Sequence, residues 1–521
     1  MSTRIRQFVS DRRGNFALIS SVLAVPLILV AGVALDVANI TRTKTELQSA
    51  LDAAVLAIAR EGKQVDDKQA VAIANTFLEN NYGIRYADLN VTRDGSLVKL
   101  DASAKADMAF GGLFGYDDWK VATSSTADIA YMNYEIALSL DTTGSMAGGK
   151  LASLKDAVIG MVDAMSVQVD DPKKLKFAMV PFATFVNVGP EFGPTFKPNG
   201  KIKKNTGAPW LDLKGDVDVP QLELKKGVSR FEVFHNLGED WKGCVETRLP
   251  TKKKAYDVED VAATTKDKDS LFVPAFSIDE PDSGYQNNYI DSAVNPLDKK
   301  ADKAKLEKYG IRTGTSLLGD LVSDLVDLVP VAIEHNAGTG PNRGCDMQPI
   351  TPLTSDYNLI KTRVNQLQAA GTTNIMEGVA WGHRVLSPDE PFAQGAPAAN
   401  DLRKIMIVLT DGANNFGNNS TALGSEYSSF GYLVDGRLAQ GGSSSTTDSM
   451  NQKTLAACEA AKKGGIEVYT IRLEEPDVAT GTMLKDCASG PDHYFDAPSR
   501  SQLDEVFQQI KERIVVLRLA S

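Results

Sequence analysis

Asp141, Thr143 and Ser145 occupy alternate positions of the stretch DTTGS, directly after the apolar run Ile136 to Leu140 and ahead of a helical pattern. Alternate spacing across a strand-to-helix turn aims three oxygens at a common point while the backbone reverses. A second acid, Asp411 in KIMIVLTDGANN, closes another apolar run, and GTTNIMEG (371–378) offers Thr373 just ahead of a helix. Two carboxylates and three hydroxyls form a hard oxygen donor set that suits Mg²⁺ or Mn²⁺, held partly through water. The competing reading is that Thr143 and Ser145 only cap the helix that follows. It leaves the acids at two strand ends unexplained.

Other chemistry finds less support. LDTTGS resembles the D-T-G loop of aspartic proteases, but the inserted Thr spoils that loop and no second copy exists. His235, His335, His383 and His493 lie far apart without an H-E-x-x-H pair, so a zinc hydrolase finds no ligand set. No G-x-S-x-G elbow or Walker A motif occurs. GTGPNRG (338–344) follows no good strand and opens no helix, which makes a poor phosphate cradle. A net charge of −11 argues against a nucleic-acid partner. The runs KIKK (201–204) and KKK (252–254) read as solvated loops.

The elements that must position the site begin with the uncharged segment Phe16 to Leu35, long enough to cross a hydrocarbon core of roughly 30 Å as one helix. Arg4, Arg6, Arg12 and Arg13 against Asp11 place residues 1–15 in the cytoplasm and send the rest across. A cleaved signal peptide, with Gly32 and Ala34 near the cut, is the rival; the apolar run exceeds a usual h-region. Apolar residues from Val37 to Ile58 continue at three- and four-residue spacing, so one helix is expected from the span to Arg60, kinked near Pro26. A helix over Lys68 to Asn80, the hairpin runs DLNVT and LVKLDASAKADMAF, and KVATSSTADIAY predict a small α+β region over 61–133.

From residue 134 to 521 short apolar strands alternate with helices. Strands are expected at Ile136–Leu140, Phe177–Val188, Lys404–Thr410, Ile466–Leu473 and His493–Ala497. Helices are expected at Leu151–Met165, Tyr357–Gln368, Ile375–Val385, Met450–Lys463 and Gln502–Val515. This order predicts a doubly wound, mostly parallel α/β sheet covered on both faces, with ligands at the carboxyl ends of strands. An irregular insertion, 189–347, interrupts it with aromatic patches such as FEVFHNL, WKGC and LFVPAF. Within it SLLGDLVSDLVDLVPVAIEH predicts a helix ending near Val329, and GGSSSTTDS (441–449) reads as a flexible loop.

Taken in order, DTTGS, GTTNI and LTDG resemble the metal-ion-dependent adhesion site of von Willebrand factor type A domains. That resemblance implies that Asp141, Thr143, Ser145, Thr373 and Asp411 hold the metal, Ser145 directly and the acids largely through water. Thr143 departs from the Ser usual in the family. The resemblance also implies that KFAMVPFATFVNV and QPITPLT (348–354) are the family's antiparallel edge hairpin, with the insertion at its tip. Residues 12–60, with WKGCVETR, LFVPAFSIDEPD and GPNRGCDMQPITPLT, resemble TadG-like proteins of Flp (tight-adherence) pilus assembly. Counting from Gly14, the fifth residue is Ile19 where a prepilin has Glu, so pilin-like processing is not expected.

The resemblance implies a single-pass protein of the bacterial inner membrane, its bulk in the periplasm, serving pilus assembly or anchoring. It would bind a protein partner through an Asp or Glu carboxylate at the metal. A surface adhesin and an envelope hydrolase are the alternatives. Cys244, Cys345, Cys458 and Cys487 contain no C-x-x-C pair, and an exported location favours two disulfides over four buried thiols. Three pairings exist. The expected one joins Cys458 to Cys487 across the strand Ile466–Leu473 and Cys244 to Cys345 at the root of the insertion.

Overall fold

A computed structural model of the chain describes residues 15–61, 67–81, 86–94, 97–128, 133–169, 171–282, 284–312, 327–334, 338–417, 420–439, 443–514 and 518–520. The described residues divide into two units, one within 1–131 together with 515–521, the other 132–514.

The first unit is organised by α1 (Asn15–Glu61), unbroken through Pro26. Its amino-terminal part is long and apolar enough to cross a membrane, with Val22, Leu27 and Val30 exposed. Farther along, Leu47, Leu51, Ala54, Val55 and Ile58 recur every three or four residues and pack on the sheet side chains Val98, Leu100, Ala102 and Ala127. α2 (Asp67–Asn75) runs on into a π-helical turn, Thr76–Asn81, rather than ending as regular helix. Strands β1 (Tyr86–Asp94), β2 (Leu97–Asp107) and β3 (Asp118–Asp128) form an antiparallel meander.

In chain order the second unit has β4 (Asn133–Asp141), α3 (Gly149–Gln168), β5 (Leu175–Phe182), α4 (Arg230–Asn236), α5 (Asp302–Glu307), β6 (Ile311–Arg312), β7 (Asp327–Leu328), β8 (Thr351–Thr354), α6 (Tyr357–Asn365) and α7 (Ile375–Val385). It continues with β9 (Leu402–Thr410), α8 (Ser443–Lys463), β10 (Ile466–Leu473), α9 (Val478–Cys487), β11 (Tyr494–Ala497) and α10 (Leu503–Ile514). The main sheet has the order β11-β10-β9-β4-β5-β8. Its pairs are parallel except β5 with β8 at the edge, which is antiparallel. α3 packs with α6 and α10, and α8 packs with α7 and α9. This is the doubly wound, von Willebrand factor type A-like sheet. The winding reverses between β4 and β9, whose carboxyl ends carry Asp141 and Asp411.

The insertion leaves the sheet after β5 and returns at β8, the edge, as the hairpin reading requires. It then folds back over α7, every residue of which is buried. Phe272 packs on Trp381 with ring centroids 4.8 Å apart, and Arg384 donates to the carbonyls of Tyr256 and Asp257. Phe231, Phe234, Trp241 and Phe276 are buried as well, so the aromatic patches form core. Disulfides join Cys244 to Cys345 and Cys458 to Cys487.

Several sequence expectations need correction. The strand expected to reach Val188 stops at Phe182, where Phe182 bridges back to Val186 in a turn. The 441–449 stretch is not a loop throughout: α8 begins at Ser443, and the burial of Thr446 and Met450 offsets the low helix propensity of Ser and Thr. Of the helix expected to end near Val329, residues 313–326 lie outside the described set, and Asp327–Leu328 is a strand paired with β6. α9 was not foreseen. β12 (Arg518–Ala520) pairs antiparallel with β3, so the type A-like unit does not extend to 521. Of the expected cytoplasmic tail, 1–14 lies outside the described residues.

Candidate metal centre

β4 and β9 are buried runs that end side by side, Leu140 opposite Leu409, and this places Asp141 next to Thr410. The loop after β4 is held from two sides. Thr142 donates its N–H to the Phe182 carbonyl at 2.9 Å, and Gly144 donates to the Gly371 carbonyl at 3.0 Å. Ala370 returns a bond to the Thr142 carbonyl at 2.9 Å. Gly371 has φ +82°, and a Cβ there would lie 2.7 Å from Thr184 Oγ1, so both conformation and space require glycine. The loop carrying Thr373 is thereby tied to the DTTGS loop. Asn414 completes the frame: its Oδ1 accepts from Ile375 N at 2.9 Å, and its Nδ2 donates to Asn451 Oδ1 at 2.8 Å.

All five predicted residues meet at this point. Asp141 is fully buried; its Oδ1 accepts from Thr143 N at 2.8 Å and its Oδ2 from Thr410 Oγ1 at 2.6 Å. Ser145 Oγ donates to Asp411 Oδ1 at 2.6 Å and lies 3.0 Å from Thr143 Oγ1. Gly412 runs between the remaining hydroxyls, since a methyl on it would stand 3.3 Å from Thr373 Oγ1 and 3.7 Å from Ser145 Oγ. Ser145 is exposed, whereas Asp141, Thr143, Thr373 and Asp411 are buried. The centre therefore opens to solvent at Ser145.

Burial pushes the Asp141 carboxyl up to about 6; the neighbouring Asp411 charge adds to the rise, and hydrogen bonds from Thr143 and Thr410 oppose it. Two carboxylates forced together in a buried place call for a cation. One is present on the chain: Lys150 Nζ lies 2.7 Å from Asp411 Oδ2, its side chain 20% exposed. An oxygen-only donor set, a mutually repelling carboxylate pair and an ammonium already drawn to it fit a small divalent cation at these residues.

Lys150 and Thr410 escaped the sequence reading. Lys150 had a signal: it stands in the first turn of α3, where the helix dipole disfavours a cation, so its partner had to lie elsewhere. Thr410 had none beyond being next to Asp411.

Comparison with known proteins bears on the amino-terminal segment first. Residues 14–61 match the family model of putative Flp pilus-assembly TadE/G-like proteins. No curated protein matches the chain. Among solved structures, the pilus adhesin SpaC from Lactobacillus rhamnosus GG is 12% identical at a TM-score of 0.32, over 82% of this chain and 33% of that one. The chain thus spans about a third of that adhesin. The vWF domain of the type V pili tip protein Mfa5 from Porphyromonas gingivalis is 10% identical at a TM-score of 0.32, covering 74% of this chain and 95% of that one. A von Willebrand factor type A protein from Catenulispora acidiphila is 12% identical at a TM-score of 0.27, covering 82% and 50%. Likenesses this distant carry no argument about function.

Proposed function

We propose that this chain, whose residues 14–61 carry the TadE/G-like signature, is a membrane-anchored pilus assembly or anchoring protein that binds a protein partner through a Mg²⁺- or Mn²⁺-dependent adhesion-type site. The observation that carries the reading is the convergence of Asp141, Thr143, Ser145, Thr373 and Asp411 at the carboxyl ends of β4 and β9. Bound there, the metal would offer an open coordination position to a partner's Asp or Glu carboxylate.

The chain's own groups divide the work. Asp141 and Asp411 supply the negative charge, and Thr143, Ser145 and Thr373 supply neutral oxygens. Thr410 and the Thr143 N–H orient Asp141 by occupying one lone pair on each of its oxygens. Lys150 and a divalent cation compete for Asp411, which makes occupancy sensitive to how far the lysine can withdraw. These groups make a recognition surface in which the exposed Ser145 hydroxyl and the Asp411 carboxylate that accepts from it would both face the metal. The arginine-rich stretch before the span supports a cytoplasmic amino terminus and a periplasmic second unit at the inner membrane.

Calorimetry of the full chain in detergent with Mg²⁺ and Mn²⁺ tests the site. The full chain is required because α1 contributes the core of the first unit. Saturable binding of about one ion, lost in Asp141→Ala with the circular dichroism unchanged, is the expected result. Equal binding by both proteins would put the metal elsewhere and remove the basis of the reading.

A further inference from the structure

The connection between β2 and β3, with the first two residues of β3, reads MAFGGLFGYDDW (108–119) and exposes large apolar side chains that a soluble loop would hide. Leu113 is 71% exposed, Phe114 62%, Tyr116 59% and Trp119 51%. Beyond the span and Val37 just after it, the other exposed large apolar residues among the described residues are scattered singly: Val71, Val167, Leu359 and Val478.

The loop is not loose. Met108 donates its N–H to the Asp117 carbonyl at 3.0 Å, Tyr116 donates to the Gly111 carbonyl at 3.0 Å, and Gly115 turns the chain at φ +83°. It is fastened to α1 by a buried carboxylate. Asp36 Oδ1 accepts from Ala109 N at 2.7 Å, and its Oδ2 accepts from Phe110 N at 3.1 Å and from Gly111 N at 2.8 Å.

Asp36 is the first charged residue after the apolar run 16–35. One turn back toward the middle of the span, roughly 6 Å along the axis, Gly32 is buried against the Phe110 ring, which leaves no room for a Cβ. The loop is therefore clamped at the level where the hydrocarbon core ends, and its Phe110 reaches inside that level.

We infer that the 108–119 loop is a second membrane contact, an interfacial anchor that seats Leu113, Phe114, Tyr116 and Trp119 in the lipid boundary beside the span. The inference rests on reading α1 as a membrane span. Aromatic side chains with a polar edge, here Tyr116 and Trp119, favour the headgroup level, and Leu113 and Phe114 favour the acyl chains below it. Continuity with the span selects lipid as the occupant: any group rigidly fixed to Asp36 meets the bilayer surface wherever the span crosses it. Asp36 thereby keeps the first unit close to the membrane and limits how α1 can tilt or rotate in it.

The test uses the full chain in nanodiscs of phosphatidylcholine and phosphatidylglycerol. The native cysteines are all disulfide-bonded, so single cysteines introduced as Val25→Cys, Lys99→Cys, Leu113→Cys or Phe114→Cys can be labelled with an environment-sensitive fluorophore without reduction. Doxyl-labelled lipid is expected to quench the labels at 25, 113 and 114 and to leave the label at 99 unchanged. Quenching at 25 with none at 113 and 114 overturns the inference and leaves the span standing. No quenching at 25 removes the span and the inference together. Since no partner protein is present in the disc, quenching at 113 and 114 also excludes a partner helix as the occupant.

Discussion

Within β2, Val98, Leu100, Ala102, Ala104 and Ala106 are buried while Lys99 and Lys105 are exposed; within β4, every residue from Tyr134 to Asp141 is buried. The first sheet is covered by α1 on one face, and the second lies between two layers of helices. A charge on a one-faced strand is ordinary surface. A charge at the end of a two-faced strand has lost its water, so Asp141 and Asp411 need either a cation or a proton. The same residue type thus means solvation in one unit and lost solvation in the other.

The comparison can be broken most sharply through the disulfides, which lie only in the second unit. Replacing Cys244 and Cys345 by Ser opens a loop with a sequence separation of 101. The second unit should lose about 4–5 kcal/mol, and the first unit nothing. Differential scanning calorimetry that shows both transitions moving would mean the units do not unfold separately.

Next in size are neighbouring positions along one strand. Ile407→Ala and Val408→Ala, both in β9 and both buried, should each cost about 2–4 kcal/mol. In β2, Leu100→Ala should cost about 3 kcal/mol, whereas Lys99→Ala beside it stays within about 0.5. Equal costs at 99 and 100 in urea unfolding would contradict the one-faced reading.

One acid in each unit should contribute opposite pH slopes. Burial pushes half-buried Asp435 up to about 7; the Glu246 charge adds to this, and the Tyr432 N–H and the Arg437 charge oppose it. Folded Asp435 then keeps a proton that the unfolded chain has released, so the second unit loses stability as pH rises from the ordinary carboxylate range through about 7. Asp88, in the first unit, is held below its ordinary value by hydrogen bonds from Lys120 and Ser103, and its contribution disappears as pH falls. Melting temperatures of Asp435→Asn and Asp88→Asn, each subtracted from the parent from about pH 2 to 8, should slope in opposite directions, the Asp88 difference changing below the ordinary carboxylate value of 3.8 and the Asp435 difference between that value and about 7.

The smallest expected effect is at the site. Lys150→Met should tighten Mg²⁺ affinity about tenfold by removing the competing ammonium. Weaker binding in the calorimeter would make Lys150 a supporting residue instead of a competitor.

Much of this was legible because periodicity follows burial. The repeat from Leu47 to Ile58 identified α1's packing face, and the unbroken apolar runs at 136–140 and 404–410 identified two-faced strands. Acids ending those runs marked the point where the five residues come together. What escaped was decided by tertiary packing. α9 contains Gly481 and three other weak helix formers, Thr480, Thr482 and Val478, and is started by Asp477 accepting from Thr480 N at 2.7 Å. The aromatic patches of the insertion gave no sign of whether they faced a partner or α7. Lys150 was legible only through the helix dipole it offends.

The pairing of Arg518–Ala520 with Thr126–Asp128 means the type A-like unit is inserted between two strands of the first sheet, β3 leading into it and β12 following it. Tension applied to the type A-like unit therefore reaches the first unit along two covalent connections at once. One is backed by a long strand in full register with β2, the other by a short strand at the sheet edge paired with β3. Under a steady pull the short strand should peel first, giving the tether a small yielding step before the main attachment bears the force.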